Sequence, residues 1–194
     1  MTTALLSRHA EALDLFGGLV HAVRGPAWDA PTPCAEWSVR DLVGHLTGEQ
    51  LWVPALVTQR RSPEEVGAEF DGDVLGDDPA GVWAKAAEQA RVAFNQPGAL
   101  AGTVALSYGP SPVTDYCAEM TLDAVVHSWD LAKAIGSDDR LPAQLVEFAL
   151  ARVLPKADEF ADGQYFGEPV EVPADADDQT RLLAILGRRR NWDS

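Results

Sequence analysis

The chain has 194 residues, 46% of them hydrophobic, and a formal net charge of −15. That length suits one domain, 1–194, around a single sizeable core, and the acidity repels phosphate backbones, which argues against nucleic-acid binding. No uninterrupted apolar run of about 18 residues occurs, so no membrane span is expected. The N-terminus meets Glu11 and Asp14 before any signal-peptide core can form, which points to the cytoplasm.

Thr3 to Val23 reads as a helix, because Leu5, Ala12, Leu13, Phe16, Val20 and Val23 recur at helical intervals before Gly25-Pro26 ends it. His9 and His21 have no acid partner at matching core positions and read as surface or helix-end residues. Pro31 and Pro33 make the following stretch a loop. It holds Cys34. The second cysteine, Cys117, is remote and no C-x-x-C pair exists, so both read as reduced, inert thiols.

Ser38 opens a second helix, with Asp41 completing a capping-box pattern. Its apolar stripe is Val39, Leu42, Val43, Leu46, Val53 and Val57. His45 and Glu49 run along one edge of that stripe, beside Trp52. Pro54 should kink or divide this helix, which ends near Arg60–Pro63. Glu64–Asp78 reads as a short helical turn and a loop. A third long helix starts at Pro79, runs through Val82, Trp83, Ala86, Ala90, Ala93 and Phe94, and ends at Asn95–Gly98. Leu100–Leu106 has weak β character and suggests an extended excursion or half a hairpin.

The fourth long helix spans Val113–Ile135, with Gly136 as its C-terminal cap. A fifth runs from Leu141 to Leu154, with room to continue past Pro155 to Phe160. Tyr165–Asp178 reads as a surface loop and Thr180–Leu186 as a short terminal helix. Arg188, Arg189 and Arg190 are expected to offset local acid or meet the last helix end rather than bind an anion. The fold class is all-α. Four long helices bury their stripes most simply as an antiparallel bundle, with one or two short helices added.

Asp123 and His127 lie four apart on the fourth helix and so share a face. At about 100° per residue, Tyr116, Met120, Asp123, His127, Asp130 and Ala134 fall in one band. A carboxylate and an imidazole are thus turned inward, which is costly unless they are paired or bind a metal. A purely structural Asp–His pair would also meet that need. His45 and Glu49 repeat the spacing on a second helix of the same core. Histidine and carboxylate suit zinc and similar ions, and two histidines with one carboxylate leave a coordination position open. One ion can reach both histidines only if their rings approach within roughly 8 Å. There is no G-x-G-x-x-G, Walker loop, G-x-S-x-G or H-E-x-x-H, which argues against nucleotide cofactors and serine-hydrolase chemistry.

The segment Pro31-Thr-Pro-Cys-Ala-Glu-Trp-Ser-Val-Arg-Asp-Leu-Val-Gly-His45 resembles the first metal-ligand motif of the DinB-like proteins. The likeness is to their actinobacterial branch, related to mycothiol-dependent maleylpyruvate isomerase. Asp123-Ala-Val-Val-His-Ser-Trp-Asp-Leu-Ala132 resembles the second motif, and Arg181–Arg188 is similar to the segment that closes many members. The resemblance implies a DinB-like four-helix bundle with one divalent metal, zinc or nickel. Carried over, its ligands are His45, Asp123 and His127. Asp123 stands where the isomerase has glutamate. Glu49 is left outside the ligand set, as an outer group or a water-mediated base. The isomerase has a further C-terminal domain, which a chain of 194 residues is expected to lack, and that expectation weighs against maleylpyruvate isomerisation itself.

The leading expectation is a metal-dependent thiol transferase or isomerase, using mycothiol or a similar low-molecular-weight thiol against a small electrophile. Glu49 or Asp130 would handle protons or orient a histidine. The alternative is a non-catalytic metal- or small-ligand-binding bundle. A homodimer is compatible with both.

Overall fold

The computed structural model describes residues 2–159 and 167–192. Helix α1 (Thr2–Ala22) leads through a 3-10 turn to α2 (Val39–Val53), which runs into a π-helical turn at Pro54–Thr58. A short α3 (Pro63–Val66) precedes α4 (Pro79–Asn95). Strands β1 (Thr103–Leu106) and β2 (Gly109–Pro112) form an antiparallel hairpin that feeds α5 (Val113–Ala134). Then come α6 (Ala143–Val153), a 3-10 stretch Leu154–Glu159, and α7 (Asp178–Ile185).

The fold is all-α, of the DinB-like type, with one small hairpin. α1 packs on α5 and α4, and α2 packs on α4 and α5, so these four helices make the bundle. α6 and α7 pack on each other, and α6 also leans on α5 and α1. The core around Phe16, Leu42, Leu46, Trp83, Val125 and Leu131 is closed from outside by Leu182 and Leu186 of the C-terminal segment. Among the described residues no helix is long and apolar enough to cross a membrane.

Local chemistry accounts for the element ends. The Ser38 side chain accepts from the Asp41 amide, and Asp41 accepts from the Ser38 amide, completing the expected capping box. Pro54 divides the second helix: it cannot donate an N–H, and the backbone widens into π geometry beyond it. Gly136 has φ +67 and donates to Lys133, while Ser137 donates to Ala132, ending α5 as expected. Two prolines sit in β2, which is tolerable because each strand of a two-stranded hairpin is an edge. The helical continuation beyond Pro155 is 3-10 as far as Glu159, and Phe160 lies outside the described residues, as do Tyr165 and Phe166.

One expectation is corrected. His9 is not a surface residue; it is 1% exposed and belongs to the buried stripe with Ala12, Leu13, Phe16 and Val20. Its ring stands edge-on to Phe94 at 5.0 Å between centroids. The imidazole serves there as a flat, mostly apolar filler, a use that counting it as polar conceals. His21 behaves as expected, exposed near the end of α1 with Nδ1 at 2.8 Å from the Gly17 carbonyl.

Candidate metal centre

Helices α2 and α5 face each other in the bundle, and the site forms where His45 meets Asp123 and His127. The His45 and His127 rings are 5.5 Å apart at 80°, inside the limit for sharing one ion. Asp123 lies between them, with Oδ2 at 3.5 Å from His45 Nε2 and Oδ1 at 3.3 Å from His127 Nε2. Donor atoms from the three residues all lie within 4.8 Å of one another. A tetrahedral zinc ion with bonds of about 2.0–2.1 Å needs donors about 3.3 Å apart, so little adjustment is required. Side-chain exposure is 33% for His45, 19% for Asp123 and 5% for His127, so the cluster opens on the His45–Asp123 side.

The electrostatics follow from this crowding. Burial opposes ionisation of Asp123, but His127 and then His45 outweigh it and hold the carboxyl well below its usual range. Burial also opposes charge on His127. Asp123, assisted by hydrogen bonds to Asp123, Asp130 and Cys34, prevails and raises the ring well above the ordinary histidine value. Glu49, one turn beyond His45 on α2, is pushed up by burial first and by the Asp123 charge second. It is thus close enough to sense the centre, with a carboxyl that picks up a proton more readily than usual.

Behind His127 is a second layer. Asp130 has no exposed surface, and its Oδ2 accepts from His127 Nδ1 at 2.9 Å. Arg188 reaches the same carboxylate, Nη2 to Oδ2 at 2.9 Å and Nε to Oδ1 at 3.3 Å. Burial works against the Asp130 anion, yet Arg188 and then His127 hold its pKa down to about 2. Cys34 completes the ring, its thiol donating to Asp130 Oδ2 at 3.2 Å and accepting from Arg188 Nη2 at 3.3 Å. Cys117, in contrast, is buried and its thiol is pushed up to about 12, as suits an inert residue.

The 31–37 loop delivers Cys34. The Thr32 amide donates to the Trp37 carbonyl, and Thr32 Oγ1 accepts from the Cys34 amide, pinching the loop closed. Glu36 takes φ +67 to allow it. Trp37 emerges beside the two histidines, 4.9 Å from the His45 ring and 6.0 Å from that of His127.

Residues 9–132 match the profile of the mycothiol maleylpyruvate isomerase N-terminal domain. The chain belongs to that family. Two relatives are 32% identical over 185 residues, covering 94% of this chain and 97% of each relative. They are the uncharacterized proteins MT0763 and Rv0738, from two strains of Mycobacterium tuberculosis. No solved structure matches significantly. In this member of the mycothiol maleylpyruvate isomerase N-terminal domain family, the matched region contains Cys34, Trp37, His45, Glu49, Asp123, His127 and Asp130, whereas Arg188 lies beyond it.

All five residues singled out from sequence, His45, Glu49, Asp123, His127 and Asp130, gather at this one place. Three participants were missed. Cys34 and Trp37 sit in a loop, where no periodicity indicates which way a side chain points. Arg188 does meet the helix end as expected, donating from Nη1 to the Leu186 carbonyl at 2.9 Å, but the acid it bonds is Asp130, 58 residues earlier in the chain. The available signal was that a buried Asp130 demands a cation, and arginine is the usual one.

Proposed function

We propose that this protein is a metal-dependent thiol transferase or isomerase. It would use a low-molecular-weight thiol of the mycothiol type and act on a small electrophile. His45, Asp123 and His127 are the metal ligands, with zinc or nickel as the ion. The observation that carries the reading is the convergence of two imidazole Nε2 atoms on one carboxylate at distances of 3.3 and 3.5 Å. Family membership supports the thiol.

Three protein donors leave one position of a tetrahedral ion open. A divalent ion there would promote ionisation of a thiol at neutral pH. The protein's own residues supply the rest. Asp130 accepts from His127 Nδ1 and leaves Nε2 directed at the centre. Trp37 packs beside both rings. Glu49, with its raised pKa, takes the proton that the thiol releases and returns it to the product. In this reading residues 1–194 form one domain working in the cytoplasm on small molecules, alone or as a homodimer.

Cobalt-substituted protein tests the proposal. Adding mycothiol should produce a sulfur-to-cobalt charge-transfer band as the thiol takes the open position. Cobalt binding without any such band, at saturating mycothiol and other cellular thiols, would reject the thiol chemistry and leave a non-catalytic metal-binding bundle.

A further inference from the structure

Asp130 is the most deeply enclosed anion of the centre, and its arginine partner does not come from the bundle. Arg188 arrives from the C-terminal segment, three positions after α7 ends at Ile185. Its placement is tightly determined. The Arg188 amide donates to Leu183 at 2.8 Å and the Gly187 amide to Ala184 at 3.1 Å. Gly187 has φ +77, and a Cβ there would lie 2.3 Å from the backbone of Gly167, so glycine alone fits the turn that aims Arg188 inward. Leu182, Leu183 and Leu186 are fully buried around it.

The arginine fork and the imidazole share one oxygen. Asp130 Oδ2 receives Arg188 Nη2 and His127 Nδ1, each at 2.9 Å. Displacing Arg188 therefore frees the carboxylate that orients His127. On the other side of the same ring, Nε2 faces Asp123 at 3.3 Å. A carboxylate on the far nitrogen of a ligating histidine fixes the ring angle and the tautomer.

We propose that Arg188 is a positioning residue of the metal centre, acting through Asp130 on His127, so that docking of the C-terminal segment and occupation of the site are coupled. This rests on the metal reading above. Coupling of this kind is reciprocal: whatever steadies the segment tightens the metal, and metal steadies the segment.

The test uses the full chain with zinc as the probe, and nickel in addition for the wild type. Zinc affinity is measured by competition with a chromophoric chelator for wild type, Arg188→Gln and Asp130→Asn. Each variant should bind about 10–100-fold more weakly. Nitrogen NMR of the zinc-loaded protein should show a hydrogen-bonded Nδ1–H on His127 in wild type that shifts in both variants. Hydrogen exchange of the amides at 182–188 in wild type should slow when zinc is added. Folded Arg188→Gln with unchanged zinc affinity and an unchanged His127 signal overturns the coupling and leaves the metal site standing. Wild type that binds neither zinc nor nickel overturns both. Should Arg188→Gln fail to fold, the wild-type exchange decides: zinc binding without added protection at 182–188 overturns the proposal.

Discussion

Asp123 is the residue on which the centre turns. It lies within 3.5 Å of both histidine Nε2 atoms, so the side chain one methylene shorter than glutamate still spans the gap. Asp123→Ala should lower zinc affinity by at least about 100-fold, since losing an outer partner alone costs 10–100-fold and a ligand matters more. Asp123→Glu should retain binding. Calorimetric titration of the two variants checks this. Unchanged binding in Asp123→Ala would shift the ligand role to Glu49. Asp130, three residues from His127 on the same helix, has a different character. It is enclosed and paired on every side, which suits orientation of the ring rather than contact with a substrate.

At the scale of elements, α2 and the loop before it act as one delivery device. The loop ends in the capping box at Ser38 and Asp41, and α2 starts there with Trp37 immediately before it and His45 two turns on. Removing the cap leaves helix N–H groups without a partner. Ser38→Ala should destabilise the protein by about 1 kcal/mol, a fall of about 2–4 °C in Tm for a chain of this size. Thermal unfolding followed by circular dichroism measures it. An unchanged Tm would mean that the α2 start is held instead by the backbone bonds flanking the 31–37 loop, in particular the Val39 amide bonded to Ala30 at 2.9 Å.

For the molecule as a whole, His9 links pH to stability. Burial first, then the Arg91 charge, lowers its pKa from 6.5 to about 4, with the Gln50 amide opposing part of the shift. Below pH 6.5 the unfolded chain binds a proton that the folded chain refuses until about pH 4. Stability contributed by the neutral ring is therefore complete above pH 6.5 and declines as pH falls through this window. The loss amounts to about 2 kcal/mol between pH 7 and 5. His127 has the opposite sign: its raised pKa gives stability that is full below the unfolded value and lost as pH rises. Comparing wild type with His9→Leu by urea unfolding at pH 7 and pH 5 cancels the His127 contribution. The wild type should lose about 2 kcal/mol more than the variant. Equal losses would show that His9 takes up its proton without disturbing the fold.

Much of this architecture is written in local pattern. Val39, Leu42, Val43 and Leu46 mark the buried side of α2, Gly136 ends α5, and the repeated four-residue spacing at His45–Glu49 and Asp123–His127 names the helices that must meet, because periodicity reports which faces are turned inward. What periodicity cannot report is the partner of a buried group. That His9 fills a space against Phe94, that the thiol of Cys34 lies on Asp130, and that Arg188 closes a carboxylate 58 residues earlier in the chain, are consequences of helices and loops packing together. Sequence alone gave the all-α fold and brought forward His45, Glu49, Asp123, His127 and Asp130, but not Cys34, Trp37 or Arg188 as their neighbours. Only the packed bundle decided which of them share an oxygen, since a hydrogen bond is made at about 3 Å and no spacing along the chain encodes that distance between remote segments.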